Sequence, residues 1–159
     1  SIPQNEGKKI IDAVKMHKPT LHFEKIMING TEKNQSVIPS VQHTLSLSIE
    51  GYSDEDLKTD VMFILKSKSE TPMASLAEGY YRGKLDTIPK GHFCIKKTIQ
   101  LPKFLSNGRL YCDLNMHHPR LEWHLQAPNC CCLDCEGYQE EFGYTINQET
   151  YGLMGMELL

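Results

Sequence analysis

The sequence predicts an all-β fold, an antiparallel β-sandwich that is immunoglobulin-like in general layout. Apolar and polar residues alternate with a period of two along several short segments, which is typical of strands with one buried face. Turn-forming Gly, Asn and Pro residues separate these segments at close spacing. The chain has 159 residues, 40% of them apolar, which suits a single domain with a real core. A closed β-barrel is the alternative architecture.

Three segments carry the alternation most clearly, at 41–49, 93–101 and 109–117. Further strands are expected at 21–28, 60–66, 79–85, 121–126, 141–146 and 151–158. Residues 1–19 contain no such pattern, and we predict a linker with a marginal helix there, because so short a helix is rarely stable alone. Since the chain starts with Ser1 rather than Met, we expect it to be a fragment of a longer protein.

Composition excludes several classes of function. Seventeen Lys and Arg against 20 Asp and Glu leave a formal charge of -3, so nucleic acid is not expected as a partner. No apolar stretch approaches the roughly 20 residues of a membrane-spanning helix. The six cysteines are clustered rather than spread as in a disulfide-stapled secreted domain, which predicts a reducing, cytoplasmic location.

Sequence motifs of common enzymes are absent. The chain contains no phosphate-binding glycine loop, no GxSxG nucleophile elbow and no HExxH metalloprotease helix. The close acidic pairs, such as Glu140 with Glu141, fall in predicted loops or strand edges. We therefore predict a non-catalytic domain that needs no cofactor.

The cysteine run from Cys130 to Cys135 contains one CxxC pair. A four-cysteine zinc site needs a second pair converging from another loop. The remaining cysteines, Cys94 and Cys112, are predicted on opposite strand faces. We predict ordinary thiols and no metal ion.

A polar strand face is the best candidate for ligand binding. On the predicted strand at 109–117, the side chains of Tyr111, Asp113, Asn115 and His117 share one face. Planar polar groups of this kind bind vicinal hydroxyls of sugars, and flat rings stack on sugar faces. An ordinary solvated strand face remains the alternative for each residue taken singly.

Neighbouring segments extend this candidate site. We add Tyr80, Arg82 and His124, because the strand at 121–126 is expected beside the strand at 109–117 across a short connection at 118–120. Trp123 alternates with Leu121 and Leu125, which predicts that it fills the core. The predicted carbohydrate-binding set is Tyr80, Arg82, Tyr111, Asp113, Asn115, His117 and His124.

Several runs together resemble one known family. They are GYYRG at 79–83, IPKGHFCI at 88–95, LSNGRLYCDL at 105–114, FGYTI at 142–146 and GLMGME at 152–157. In this order they resemble the C-terminal domain of Wzt-type ATPase subunits, which belong to ABC transporters that export O-antigen polysaccharides. The similarity covers residues 20–159, leaving 1–19 as the tether from an upstream ATPase domain.

The resemblance implies a β-sandwich that recognises the terminus of a lipid-linked polysaccharide, at the cytoplasmic face of the inner membrane. It also implies a homodimer formed by exchange of the last strand, and a transmembrane exporter subunit as partner of the full-length protein. The apolar residues of 151–159 agree with such an exchange, because an apolar terminal strand needs a sheet edge to cover it. A structural or protein-interaction β-sandwich, such as an adaptor or coat domain without a sugar ligand, is the alternative function.

Overall fold

A computed structural model describes residues 7–159, which form two packed β-sheets. The all-β sandwich predicted from the sequence is therefore confirmed. The strands are β1 Met16–His17, β2 Leu21–Ile28, β3 Gln35–Ile38, β4 Thr44–Ser53, β5 Leu57–Lys66, β6 Pro72–Ala77, β7 Asp86–Ile88, β8 Gly91–Gln100, β9 Gly108–His118 and β10 Glu122–Cys135. The helical elements are a 3-10 helix at Ile10–Ala13 and two short α-helices, α1 Glu78–Arg82 and α2 Gln148–Tyr151.

The larger sheet has seven strands, in the order β1-β10-β9-β5-β6, with β3 paired to β10 and β7 paired to β5. The smaller sheet has the order β2-β4-β8. All pairs are antiparallel except β3 with β10, which is parallel. Strand β6 lies at one edge of the larger sheet, and strand β8 lies at one edge of the smaller sheet.

The core lies between the sheets and consists of the inward-facing residues of both. On β9 every second residue faces the core, with Cys112, Leu114 and Met116 fully buried. On β4 the matching residues are Leu45, Leu47 and Ile49, each at most 2% exposed. These are the apolar positions that the period of two predicted.

The predicted strand at 79–85 is wrong, because α1 occupies Glu78–Arg82. Glu78 lies in its first turn and Arg82 in its last, where their charges suit the helix dipole. The two side chains also pair, at 3.5 Å between Arg82 Nε and Glu78 Oε2. Gly83 ends the helix in the left-handed conformation, with φ of 65°, which glycine adopts without steric cost.

The predicted strands at 141–146 and 151–158 are also absent from the described structure. Phe142 and Tyr144 are more than nine-tenths exposed and have no partner strand. Asn147 caps α2 by accepting hydrogen bonds from the backbone N–H groups of Glu149 and Thr150. Beyond α2, only Met154 forms an isolated bridge, with Leu105, so the terminal segment lies along the sandwich without adding a strand.

Part of the predicted linker packs onto the sandwich. Residues 1–6 lie outside the described residues, but Ile10 is completely buried and contributes to the core. Met16 and His17 pair with Gln126 and Leu125 of β10 as strand β1. Within residues 7–159, no helix has both the length and the apolar character needed to span a membrane.

Candidate functional site

The side of the larger sheet that faces away from the smaller sheet, here called the outer face, carries most of the candidate residues. Directly paired residues of neighbouring strands point to the same side of a sheet. Asn115 pairs with Met62 of β5 and Gln126 of β10, while His117 pairs with Asp60 and Trp123. Their neighbours Leu114 and Met116 are fully buried on the opposite side. The outer face comprises Asp60, Met62, Ile64, Lys66, Tyr111, Asp113, Asn115, His117, Trp123, Gln126, Cys132 and Asp134.

Three aromatic side chains meet at one end of this face. The rings of His117 and Trp123 stack, with 5.2 Å between their centroids and an interplanar angle of 26°. Tyr80 approaches His117 from α1, with centroids 5.5 Å apart. Trp123 is 43% and Tyr80 60% exposed, whereas His117 is buried. The two exposed rings form an aromatic platform around the imidazole.

The prediction that Trp123 fills the core is wrong, because a β-bulge interrupts the alternation of β10. The register shifts between Trp123, which pairs with His117, and Leu125, which pairs with Met116. The extra residue, His124, places Trp123 on the outer face and Leu125 on the core side. No local sequence signal marks this bulge.

Asp60 holds α1 and Tyr80 in place. Its Oδ1 accepts a hydrogen bond from the Gly79 backbone N–H at 2.9 Å, and its Oδ2 lies 3.5 Å from His117 Nε2. A Cβ atom on Gly79 would come within 2.5 Å of the Asp60 carboxylate, so this close approach requires glycine. Asp60 was not predicted from the sequence, since its role depends on a contact between β5 and a helix 19 residues away.

Asn115 and Gln126 form an amide pair beside the aromatic platform. They are direct cross-strand partners on the outer face, and both are half-buried. Among the described residues, neither side-chain amide makes a hydrogen bond. Each amide has two donors and an acceptor available to a ligand. Asn115 was predicted from the sequence; Gln126 was not, although the alternation with Leu125 already puts its side chain on the outward side.

The charged residues of the outer face are already paired. Asp113 lies 2.9 Å from Lys66 Nζ and accepts a hydrogen bond from the Asn129 backbone N–H. Burial opposes ionisation of Asp134, but hydrogen bonds from Arg109 and Gln35 outweigh it and lower the pKa of this carboxyl. The Asp113 carboxylate, predicted as a sugar ligand, is therefore committed to internal partners.

Tyr111 lies on the outer face but is covered. It is only 4% exposed, and together with Lys68, Asn147 and Gln148 it lines a cavity of about 290 Å³ beneath α2. Helix α2 and its cap Asn147 thus cover the end of β9 that carries Tyr111. A ligand on the open part of the outer face has no access to this ring.

His124 and Arg82 lie away from the platform. His124 is 1% exposed on the core side, where its Nδ1 is 2.7 Å from Thr59 Oγ1 and its Nε2 is 3.3 Å from Glu122 Oε1. Burial lowers the pKa of His124, which favours the neutral imidazole, with Nε2–H donating to Glu122 and Nδ1 accepting from the Thr59 hydroxyl. Arg82 is exposed on α1 and borders a different cavity, at the edge of the sheet.

The order of hydroxyl, imidazole and carboxylate in Thr59, His124 and Glu122 resembles that of a hydrolytic triad. Thr59, however, is completely buried, so no substrate reaches its oxygen. Glu122 is held at 2.5 Å by Lys18, which also contacts Glu55. This network joins the beginning of β10 to the beginning of β5 and has a structural role.

The cysteine cluster lies within β10, which continues through Pro128 to Cys135. Cys131 pairs with Cys112, and Cys132 with Tyr111, so the thiols of Cys131 and Cys132 point to opposite sides of the sheet. Burial raises the pKa of the Cys112 and Cys130 thiols well above the usual range. In the part of the chain that the structure describes, no three His, Cys, Asp or Glu side chains are arranged to hold a metal ion.

No protein-family model and no curated protein matches this chain in sequence. Solved structures do match its fold. The C-terminal domain of wzt is 9% identical, with a TM-score of 0.53, over 84% of this chain and 88% of that one. A Niemann-Pick type C2 protein from the Japanese carpenter ant is 11% identical, with a TM-score of 0.53, over 82% of this chain and 97% of that one. The likeness to the C-terminal domain of wzt is thus a similarity of fold.

Proposed function

We propose that this domain binds a carbohydrate on its outer face, without chemical turnover. The observation that carries the proposal is the half-buried amide pair of Asn115 and Gln126, which has no hydrogen-bond partner in residues 7–159 and lies beside the stacked rings of Trp123 and His117. Because no described protein group occupies the donors and acceptors of these amides, they are available to a ligand or to water. A sugar hydroxyl pair supplies both a donor and an acceptor.

The dimensions of the patch suit one sugar ring. Asn115 and His117 are two residues apart on β9, about 7 Å, and their partners on β10 lie about 5 Å away. Trp123 and Tyr80 offer flat apolar surfaces at one side, and the amides offer polar groups at the other. This is the arrangement that a pyranose needs, since it has an apolar face and a rim of hydroxyls.

The resemblance of the sequence to Wzt-type C-terminal domains, supported at the level of fold, suggests which carbohydrate is bound. We propose the terminus of a lipid-linked O-antigen polysaccharide that an ABC transporter exports. In this role the domain acts in the cytoplasm at the inner face of the inner membrane, as part of a longer ATPase subunit. Its further partners are a second copy of the chain and the transmembrane exporter subunit.

Binding at this shallow site is expected to be weak. Each hydrogen bond to a hydroxyl replaces one to water and contributes about 0.5–1.5 kcal/mol. Stacking on Trp123 therefore matters as much as the amides. Millimolar affinity for a short oligosaccharide is consistent with the recognition of a long polymer held near the membrane.

Trp123 is the only tryptophan, so its fluorescence reports on the site directly. Oligosaccharides released from the surface polysaccharide of the source organism are titrated into the domain while emission is recorded. We expect saturable quenching or a spectral shift, and at least fivefold weaker binding by N115A and by Q126A. The matched control is S46A, since Ser46 is exposed on the smaller sheet.

Two results would count against the proposal. If emission does not change at millimolar oligosaccharide and NMR detects no shifted resonances, the domain does not bind this glycan, and the protein-interaction alternative replaces the proposal. If S46A weakens binding as much as N115A does, the site is not on the outer face.

A further inference from the structure

The sandwich is open along one side. On the side of β2, the 3-10 helix inserts Ile10 into the core and closes the gap between the sheets. On the opposite side, the edge strands β6 and β8 border a cleft of about 550 Å³. This volume lies within the usual range of small-molecule sites, about 300–1,000 Å³.

Apolar side chains line the inside of this cleft. Phe63 and Leu65 of β5 form its floor and are almost completely buried. Leu76 of β6 and Ile99 of β8 form its walls and are only half-buried, although they pack against the core. Apolar surface therefore faces an unfilled space in the described structure, and an apolar ligand would remove it from water.

A polar cavity of about 400 Å³ adjoins the cleft and shares Leu76, Glu78 and Thr98 with it. It opens at the edge of β5 that faces away from β9, in the gap between the pairing of β5 with β7 up to Thr59 and its pairing with β6 from Met62. We call this polar cavity the mouth of the cleft. Three basic residues line it, namely Arg82, Lys84 and Lys97.

Three acidic and three basic residues line the mouth, but among the described residues only two of the bases are paired with an acid there. Lys97 pairs with Asp86 at 2.7 Å, and Arg82 with Glu78 at 3.5 Å. The third acid, Asp60, is held by Gly79 and His117. Within residues 7–159, Lys84 is exposed and makes no ion pair. The side chain of Lys84 is thus the one basic group of this mouth, in the part of the chain that the structure describes, with no carboxylate partner.

We infer that this cleft binds a single-chain amphiphile with an anionic head group, of the fatty-acid type. The apolar chain lies between β6 and β8 against Phe63, Leu76 and Ile99, and the carboxylate lies at Lys84. The apolar lining favours the alkyl chain, and the unpaired ammonium group of Lys84 favours an anionic head group. This site is distinct from the outer face and does not depend on the carbohydrate proposal.

The test uses dodecanoate below its micelle concentration, measured by calorimetry and by NMR of Leu and Ile methyl groups. We expect one site per chain, shifts of the Leu76 and Ile99 methyl resonances, and unchanged Trp123 emission. In a series from octanoate to dodecanoate, Kd should fall about fourfold per added methylene. Dodecyltrimethylammonium, which carries the opposite charge, should bind at least tenfold more weakly than dodecanoate.

Two variants and their controls locate the chain and the head group. A74F fills the cleft from β6 and should weaken dodecanoate binding at least tenfold, whereas S46F, on the exposed side of β4, should not. K84E should weaken dodecanoate binding about fivefold, whereas K96E, which makes the same change on the outward side of β8, should not. Thermal unfolding confirms that A74F is folded; K84E, on an exposed loop, tests the site independently.

Three results would overturn the inference. If dodecanoate and dodecyltrimethylammonium bind with equal affinity, Lys84 does not recognise the head group. If A74F binds dodecanoate as tightly as the wild type does, the ligand does not lie in the cleft. If dodecanoate binds only after residues 156–159 are deleted, the occupant of the cleft is the apolar terminal segment of this chain or of a second copy.

Discussion

Trp123 stacks on His117 at 5.2 Å between ring centroids, and the buried edge of that imidazole lies 3.5 Å from the Asp60 carboxylate. The most exposed large ring of β10 is therefore supported from beneath by a buried pair of polar side chains. Tyr80 flanks the same imidazole from α1. A rigid aromatic surface of this kind needs little reorganisation on binding a ligand, which reduces the entropic cost.

Substituting Trp123 tests the platform. W123A should weaken oligosaccharide binding about tenfold, because it removes the largest apolar contact surface, and W123F should have a smaller effect. Calorimetry measures this, since the variants lack the fluorophore. The matched control is Y52A, because Tyr52 is an exposed aromatic residue that contacts a histidine, His92, edge to face on the smaller sheet. Equal losses in W123A and Y52A would contradict the assignment.

Tyr111 and Asn115 should separate stability from binding, although both lie on the outer face of β9. Y111A empties a buried site under α2 and should lower the free energy of unfolding by about 3 kcal/mol. N115A should change it by less than about 0.5 kcal/mol. Urea unfolding measures both. An unchanged free energy of unfolding in Y111A would mean that α2 does not cover this ring in solution.

His124 should make stability depend on pH. Burial lowers its pKa below the ordinary value of about 6.5, so the unfolded chain binds this proton more tightly than the folded one does. The stability contribution is present above pH 6.5 and is lost as the pH falls through that value toward the lower pKa of the folded state. H124Q should flatten the profile between pH 7 and pH 5.

H92Q is the control for this measurement, because His92 is exposed. Its unfolding free energy should follow the wild-type profile over the same range. If H124Q retains the wild-type slope, another group is responsible for it.

The thiols should differ sharply in reactivity. Cys94 is exposed on β8, whereas the other five cysteines are buried. Burial raises the pKa of Cys135 to about 12, which suppresses its thiolate at neutral pH. A disulfide reagent should modify one thiol per native chain, none in C94S, and six after denaturation. Rapid modification of several native thiols would show that β10 opens.

Elemental analysis of protein purified under reducing conditions should find no stoichiometric zinc.

The terminal segment should mediate self-association, as the sequence predicts. Met156, Leu158 and Leu159 are almost fully exposed in the single chain, whereas Leu153 is buried. Deletion of 156–159 removes the exposed apolar residues but leaves Leu153 in place, and should convert a dimer to a monomer in sedimentation experiments. A dimer that persists after this deletion would exclude exchange through these residues.

The sequence alone determined the architecture and the facing of its clearest strands. Alternation is a local property of the chain, so it showed that Leu114 and Met116 are buried and that Asn115 and His117 share the other side. The predicted residue set therefore contains Asn115 and His117 of the proposed site, but neither Trp123 nor Gln126. It also identified Tyr80, although it placed this residue in a strand rather than in α1.

The tertiary structure alone decided which polar residues are available to a ligand. The bulge at His124 moved Trp123 outward and His124 inward, the pairing with Lys66 occupied Asp113, and α2 covered Tyr111. Gln126 became a candidate only through its pairing with Asn115. Each of these outcomes depends on the energies of contacts between residues far apart in the chain. A local alternation of polar and apolar residues carries no information about those contacts.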